Sequence, residues 1–275
     1  MPATEDLQIG DMSDLDLLTR AAEAAGEIAL RFSGPEARRW DKPDGQGPVT
    51  EADLAVNALL EEMLPAARPD YGWLSEETED SADRLTRDSV FIIDPIDGTR
   101  AFAEGSRTWA HSLAVARGGR ITAAVIYLPQ RERMYSAALG QGAALNGIAI
   151  ETSALTDLAQ ADVLTARPNL APEHWKGRQP PGFNRSYRPS LAYRMAKVAD
   201  GRAGAMLTLR RSWEWDIAAG DLILREAGGR ASDRFGSDLR FNNPVPLLDG
   251  VVAGPKALHK ELIAALDPNG PGIGG

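Results

Sequence analysis

Cysteine is absent from the 275-residue chain, which removes disulfides, thiolate nucleophiles, thiolate zinc sites and iron–sulfur clusters together. Histidine is scarce: His111, His174 and His259 are the only three. They stand at no ligand spacing, so each reads as structural or solvated. Any metal chemistry must then use oxygen donors. Positive charge is also short, with 30 Lys and Arg against 39 Asp and Glu and a net charge of −9. That balance opposes attraction to a nucleic acid polymer or an anionic membrane surface. A small phosphorylated metabolite stays admissible, because a bound divalent cation reverses the local field. No run of about eighteen apolar residues occurs. The N-terminus, Met1-Pro2-Ala3-Thr4-Glu5-Asp6, is acidic where a secretory signal is basic and then apolar. The expectation is a cytoplasmic protein without membrane contact.

What is present divides in two. Leu15, Leu18, Ala21, Ala22, Ala25, Ile28, Ala29 and Phe32 recur at helical spacing, opened by a Ser13/Asp16 capping box. A charged, Pro/Gly-rich break from 34 to 48 follows. Thr50 with Asp53 then opens a second helix, which Pro65 and Pro69 are expected to end. Strand signals at 90–93, 112–116, 121–128 and 134–138 lead to an Asn146-Gly147 hairpin turn. Beyond about residue 155 strands alternate with helices: strands at 163–166, 205–209 and 251–253, helices at 191–198, 217–227 and 257–266. The Pro-rich stretch 167–189 reads as a long surface excursion. The expected fold class is α/β, with an α+β N-terminal domain over 1–154 and an α/β C-terminal domain over 155–266. Residues 267–275 form a frayed tail.

The chemistry concentrates at Asp94-Pro95-Ile96-Asp97-Gly98-Thr99, directly after the buried strand. Pro95 fixes φ and turns Asp94 away from helix, so two carboxylates three residues apart can converge on one cation. Mg²⁺ suits such a site, where carboxylates, waters and substrate phosphate oxygens complete an octahedron. Gly98 lets the backbone approach an anion, and Thr99 offers a hydroxyl and an amide. The bland alternative is a turn. Against it, the six-residue string arises by chance at a given position on the order of once in ten million or less, at roughly 5% usage per residue type.

This string resembles the signature of the inositol monophosphatase superfamily. Pro48-Val49-Thr50-Glu51-Ala52-Asp53, Ser75-Glu76-Glu77, Trp215-Asp216-Ile217-Ala218-Ala219-Gly220 and Glu226-Ala227-Gly228-Gly229 stand in that family's order. The resemblance implies a layered αβαβα sandwich and hydrolysis of a phosphate ester with two or three Mg²⁺ ions. It implies the metal set Glu76, Asp94, Ile96, Asp97 and Asp216, although Glu76 alone reads as part of a solvated acidic run and Asp216 alone as a helix cap. It pairs Asp53 with Thr99 to orient a water and accept its proton, where Asp53 alone is explained by its capping box. Glu76 shares the catalytic role through the metals. Gly98 and Thr99 would hold phosphate oxygens. Family members are often homodimers, but no interface follows from one sequence.

Substrate choice is the weaker reading. The segment 41–50 resembles the mobile loop of the bacterial 3'(2'),5'-bisphosphate nucleotidase branch, which puts Lys42 near the substrate or leaves it an exposed loop lysine. Inositol-hydrolysing members usually carry a sugar-binding Glu seven residues before the last metal ligand. Here that position is Leu209, followed by Arg210 and Arg211, which either meet a second phosphate or are surface charges. Ser190-Leu191-Ala192-Tyr193-Arg194 departs from the Ser-Ser-Leu-Lys type run of that branch. Adenosine 3',5'-bisphosphate is the first expectation, with inositol 1-phosphate and histidinol phosphate as alternatives. A non-catalytic nucleotide- or phosphate-sensing module is the alternative of another class.

Overall fold

A computed structural model describes residues 12–32, 38–41 and 47–271. Helix α1 (Asp14–Arg31) starts at Ser13, whose Oγ accepts from the Asp16 amide and donates to the Asp16 carboxylate. A short hairpin, β1 (Arg39–Asp41) and β2 (Pro48–Thr50), precedes α2 (Glu51–Ala67). The sequence ends α2 at Pro65 and Pro69, and the helix runs through Pro65 to Ala67, just before Pro69. A proline three residues from a helix end removes only one backbone bond, and the Arg68 amide still reaches the Leu64 carbonyl at 3.0 Å.

The first sheet has seven strands: β3 (Gly72–Ser75), β4 (Ser89–Asp97), β5 (Ala110–Arg117), β6 (Arg120–Leu128), β7 (Arg133–Ala138), β8 (Ala143–Leu145) and β9 (Ile148–Ile150). They lie side by side in chain order, β3 and β4 parallel and the rest antiparallel. Asn146 and Gly147, with φ of 50° and 77°, form the two-residue turn between β8 and β9. Helix α3 (Thr99–Ala103) follows β4.

The second sheet contains β10 (Asp162–Leu164), β11 (Asn184–Ser186), β12 (Ala205–Thr208), β14 (Gly229–Ser232) and β16 (Val251–Pro255), ordered β11-β10-β12-β16-β14. Between β12 and β16 run β13 (Ser212–Trp213) and β15 (Leu247–Leu248), which pair with each other. Helices α4 (Leu191–Ala199), α5 (Ala218–Glu226) and α6 (Lys256–Ala265) complete the chain.

Side-chain alternation stacks these elements into five layers. Phe91 and Ile93 of β4 pack with α1 and α2, whereas Val90 and Ile92 pack with α4 and α5. On the second sheet Leu164, Met206, Val251 and Ala253 face the same α4/α5 layer, and Val163, Leu207 and Val252 face α6. The result is the αβαβα sandwich, with β4 buried along all nine residues. Gly220 allows α5 to lie against α4, since a Cβ there would stand 2.6 Å from the Met195 side chain.

Residues 167–189 run mostly at the surface, as expected, but are anchored to the core. Their short 3-10 turns bring Trp175 into the core beneath α6, where its indole N–H donates to the Asn169 carbonyl at 3.0 Å. Residues 267–271 are likewise held, because Arg234 donates to the carbonyls of Gly270 and Pro271; residues 272–275 lie outside the described part. Among the described residues no helix is long and apolar enough to cross a membrane.

Candidate active site

Strand β4 carries the site. Its fully buried run ends in Asp94 and Asp97, and the ladder with β5 is irregular between those two residues, where Pro95 interrupts it. His111 of β5 holds the turn through a hydrogen bond from Nδ1 to the Pro95 carbonyl. Burial depresses this histidine to about 4, so it is a neutral donor to that carbonyl rather than a charge beside the carboxylates. Gly98, at φ 99° and ψ 38°, sits in the left-handed region and starts α3, so that Thr99 becomes its first residue.

One carboxylate oxygen from each of Asp94, Asp97 and Asp216 lies within 4.8 Å of the others. Asp94 Oδ1 is buried without a hydrogen-bond partner. Burial pushes the Asp94 carboxyl well above the usual range, and the charges of Glu76, Asp97, Asp216 and Asp53 push it further. Asp216 is raised well above its ordinary value by burial first and then by Asp97 and Glu76. An orphaned acceptor among mutually repelling carboxylates fits a hard divalent cation, which takes oxygen donors and cancels the repulsion.

Each carboxylate has a local cause. The parallel register of Ser75 with Ile93, and the 3.2 Å bond from the Glu76 amide to the Ile93 carbonyl, set Glu76 level with Asp94 on the neighbouring strand. Asp97 Oδ2 accepts from Ser190 Oγ at 2.6 Å and from the Ala192 amide at 2.6 Å, so the start of α4 fixes its orientation. Burial raises Asp97 to about 6 despite these bonds. The cap explanation for Asp216 fails: Ile217 is the N-cap of α5 and makes no side-chain cap bond.

Asp53 keeps its capping box and also meets Thr99. Its Oδ2 accepts from the Thr50 amide at 2.8 Å and the Thr50 hydroxyl at 2.5 Å, completing the capping box of α2. Its Oδ1 is 3.1 Å from Thr99 Oγ1, which is also 3.1 Å from the Ile96 carbonyl. Burial raises Asp53 to about 6, with the Thr50 bonds opposing the shift. A carboxylate poised there can take a proton near neutral pH.

The pattern of the inositol monophosphatase family matches residues 12–270. The chain belongs to this family. It is therefore a metal-dependent phosphoric monoester hydrolase. It is similar to the Nus factor SuhB of Escherichia coli (strain K12), 31% identical over 260 residues, which cover 91% of this chain and 94% of that protein. The inositol-1-monophosphatase of Mesorhizobium japonicum is 32% identical over 272 residues, covering 92% and 95%. Among solved structures, an IMPase from Thermotoga maritima superposes with a TM-score of 0.79 at 26% identity over 92% of this chain and 96% of that one. The extragenic suppressor protein suhB from Bartonella henselae gives 0.77 at 28% identity, over 92% and 98%.

Beyond the residues that the family motifs pick out, the fold separates the two arginines. Arg210 is exposed, and its charge opposes the upward shift of Asp216. Arg211 instead pairs with Asp249 at 3.4 Å on the surface. Lys42 lies outside the described residues. Sequence reading missed Ser190 and Ala192 as the groups that orient Asp97; the available signal was a serine opening an amphipathic helix, but not where that helix points. It also missed Arg194, a buried guanidinium on α4 whose charge reaches both Asp97 and Arg210, with Cζ 4.6 Å from the Tyr187 ring centroid.

Proposed function

We propose that the chain is a Mg²⁺-dependent phosphatase whose preferred substrate is a small metabolite bearing a second anionic group, most simply adenosine 3',5'-bisphosphate losing its 3'-phosphate. Glu76, Asp94, Asp97, Asp216 and the Ile96 carbonyl would hold two or three Mg²⁺ ions. When bound, these ions supply phosphate charge neutralisation and an acidified water. The chain's own contribution is the Asp53–Thr99 pair. Thr99 accepts the water's proton as its own passes to Asp53, so the nucleophile forms without a covalent phosphoenzyme. The amides of Gly98 and Thr99 hold phosphate oxygens, which adds fixed dipoles where charge develops.

The observation behind the substrate choice is position 209. Leu209 is buried in the core beneath α6, so it presents no carboxylate to a sugar hydroxyl, and Arg210 beside it carries a charge that reaches Asp216. Inositol 1-phosphate is the second reading, favoured by relatives that bear the name inositol-1-monophosphatase at 32% and 35% identity. The test is phosphate release from adenosine 3',5'-bisphosphate, inositol 1-phosphate, histidinol phosphate and fructose 1,6-bisphosphate, with and without Mg²⁺. The bisphosphonucleotide is expected to give the highest kcat/KM. Preference for a monophosphate would keep the metal chemistry and discard the substrate, and absence of Mg²⁺-dependent release from all four would favour a sensing module.

A further inference from the structure

A cavity of about 390 Å³ opens beside the metal centre, lined on one side by Glu76 and Glu79 and on the other by Trp213, Trp215, Pro244 and Pro246. Its walls are built rather than incidental. Trp213 ends β13 and Trp215 follows the bend at Glu214. Their rings stack with centroids 4.7 Å apart at an interplanar angle of 9°. Glu214 turns inward and is fully buried, accepting from the Asn242 amide at 2.6 Å, the Asn243 amide at 2.9 Å and Asn243 Nδ2 at 2.7 Å. That fixes the segment leading to Pro244. The buried Arg84 ties the two walls together, donating to Asp80 at 2.6 and 2.8 Å and to Asn242 Oδ1 and the Asn243 carbonyl at 2.6 and 3.0 Å.

The lining specifies an occupant. Asp80 is neutralised by Arg84, and Glu76 belongs to the acidic group around Asp94. Glu79 is exposed and makes no hydrogen bond or ion pair with another described residue. A stacked indole pair, with Trp213 40% exposed, beside a carboxylate favours a flat group of positive charge, which gains from the ring quadrupoles and the carboxylate together. We propose that this cavity binds a planar organic cation, a molecule separate from the substrate that acts on the neighbouring metal centre. Because that molecule is not the substrate, the proposal stands or falls separately from the choice of adenosine 3',5'-bisphosphate.

Benzamidinium and its neutral isostere benzamide separate charge from shape. In calorimetric titration of the Mg²⁺-loaded protein, benzamidinium is expected to bind at least about tenfold more tightly than benzamide. Trp213→Ala and Glu79→Gln are each expected to weaken it about fivefold or more. Benzamidinium is expected to change kcat, as a separate ligand does, and inhibition that raises apparent KM alone would make the cavity part of the substrate site and overturn the assignment. Equal binding of the two probes, indifference to both substitutions, or binding without any effect on turnover would overturn the assignment.

Discussion

The Thr99 hydroxyl stands 3.1 Å from Asp53 Oδ1, joining the first residue of α3 to the first turn of α2. Because the same hydroxyl is 3.1 Å from the Ile96 carbonyl, its single proton has two acceptors and its lone pairs stay available to a water. Asp53, raised to about 6 by burial, is a stronger base than a solvated aspartate. In the proposed mechanism, proton transfer along this pair needs no other group.

Thr99→Ala should lower kcat by about 10² to 10⁴, the usual contribution of a positioned proton relay, while Mg²⁺ affinity measured by calorimetry changes far less. Thr99→Ser should recover most of the rate, because it keeps the hydroxyl. An alanine variant with unchanged turnover would remove Thr99 from the relay.

The raised carboxylates make the metal-free protein sensitive to pH in a defined direction. Asp53 and Asp97 go from 3.8 to about 6, so between about pH 4 and pH 6 the folded chain binds more protons than the unfolded one. Stability then falls as pH rises through that window. Asp94 and Asp216, raised further, extend the loss upward. In chelator, Tm should be higher near pH 5 than near pH 7, and added Mg²⁺ should raise it more near pH 7. Asp94→Asn should raise the metal-free Tm near pH 7, since it removes one repelling charge, and should nearly abolish turnover. A flat Tm profile in chelator would contradict the electrostatic account of the cluster.

Ser190 couples stability to the site. It accepts from the Tyr193 amide at 2.9 Å as the cap of α4 and donates to Asp97 at 2.6 Å. Ser190→Ala should cost about 1 to 3 kcal/mol in denaturant unfolding. It should also move Mg²⁺ binding to higher pH, because Asp97 loses a bond that favours its ionised form. Ser190→Thr should restore both, whereas a loss of stability with an unmoved binding profile would make Ser190 a cap only.

Much of this site was legible because its residues lie in short contiguous runs. Asp94 and Asp97 announce themselves by flanking Pro95, and Thr50 with Asp53 carries a capping box that the fold keeps. The strand ending in the motif was legible for a related reason, as β4 is buried on both faces and reads as a continuous apolar run. What could not be read depends on contacts across more than ninety residues. The bond from Ser190 to Asp97 spans 93 positions, and no local pattern states which helix start will meet which carboxylate. The anchoring of 167–189 was hidden similarly, since most of the segment is exposed as its prolines suggest, while Trp175 is buried with Leu258 and Leu262 of α6.

Arg210 and Arg211 are adjacent in sequence yet have different surroundings, which turns the substrate question into a comparison of two single substitutions. Arg210 acts on Asp216 through its charge, so a substrate with a second phosphate should gain a charge-assisted contact there. Arg210→Ala should raise KM for adenosine 3',5'-bisphosphate about tenfold or more and leave KM for inositol 1-phosphate within about twofold. Arg211 is committed to an exposed pair with Asp249, an interaction of about 1 kcal/mol or less. Arg211→Ala should therefore change neither substrate's KM by more than about twofold. Equal effects of both substitutions on both substrates would mean that the arginines act through general surface charge, and the buried Leu209 would then be the remaining support for a substrate other than inositol phosphate.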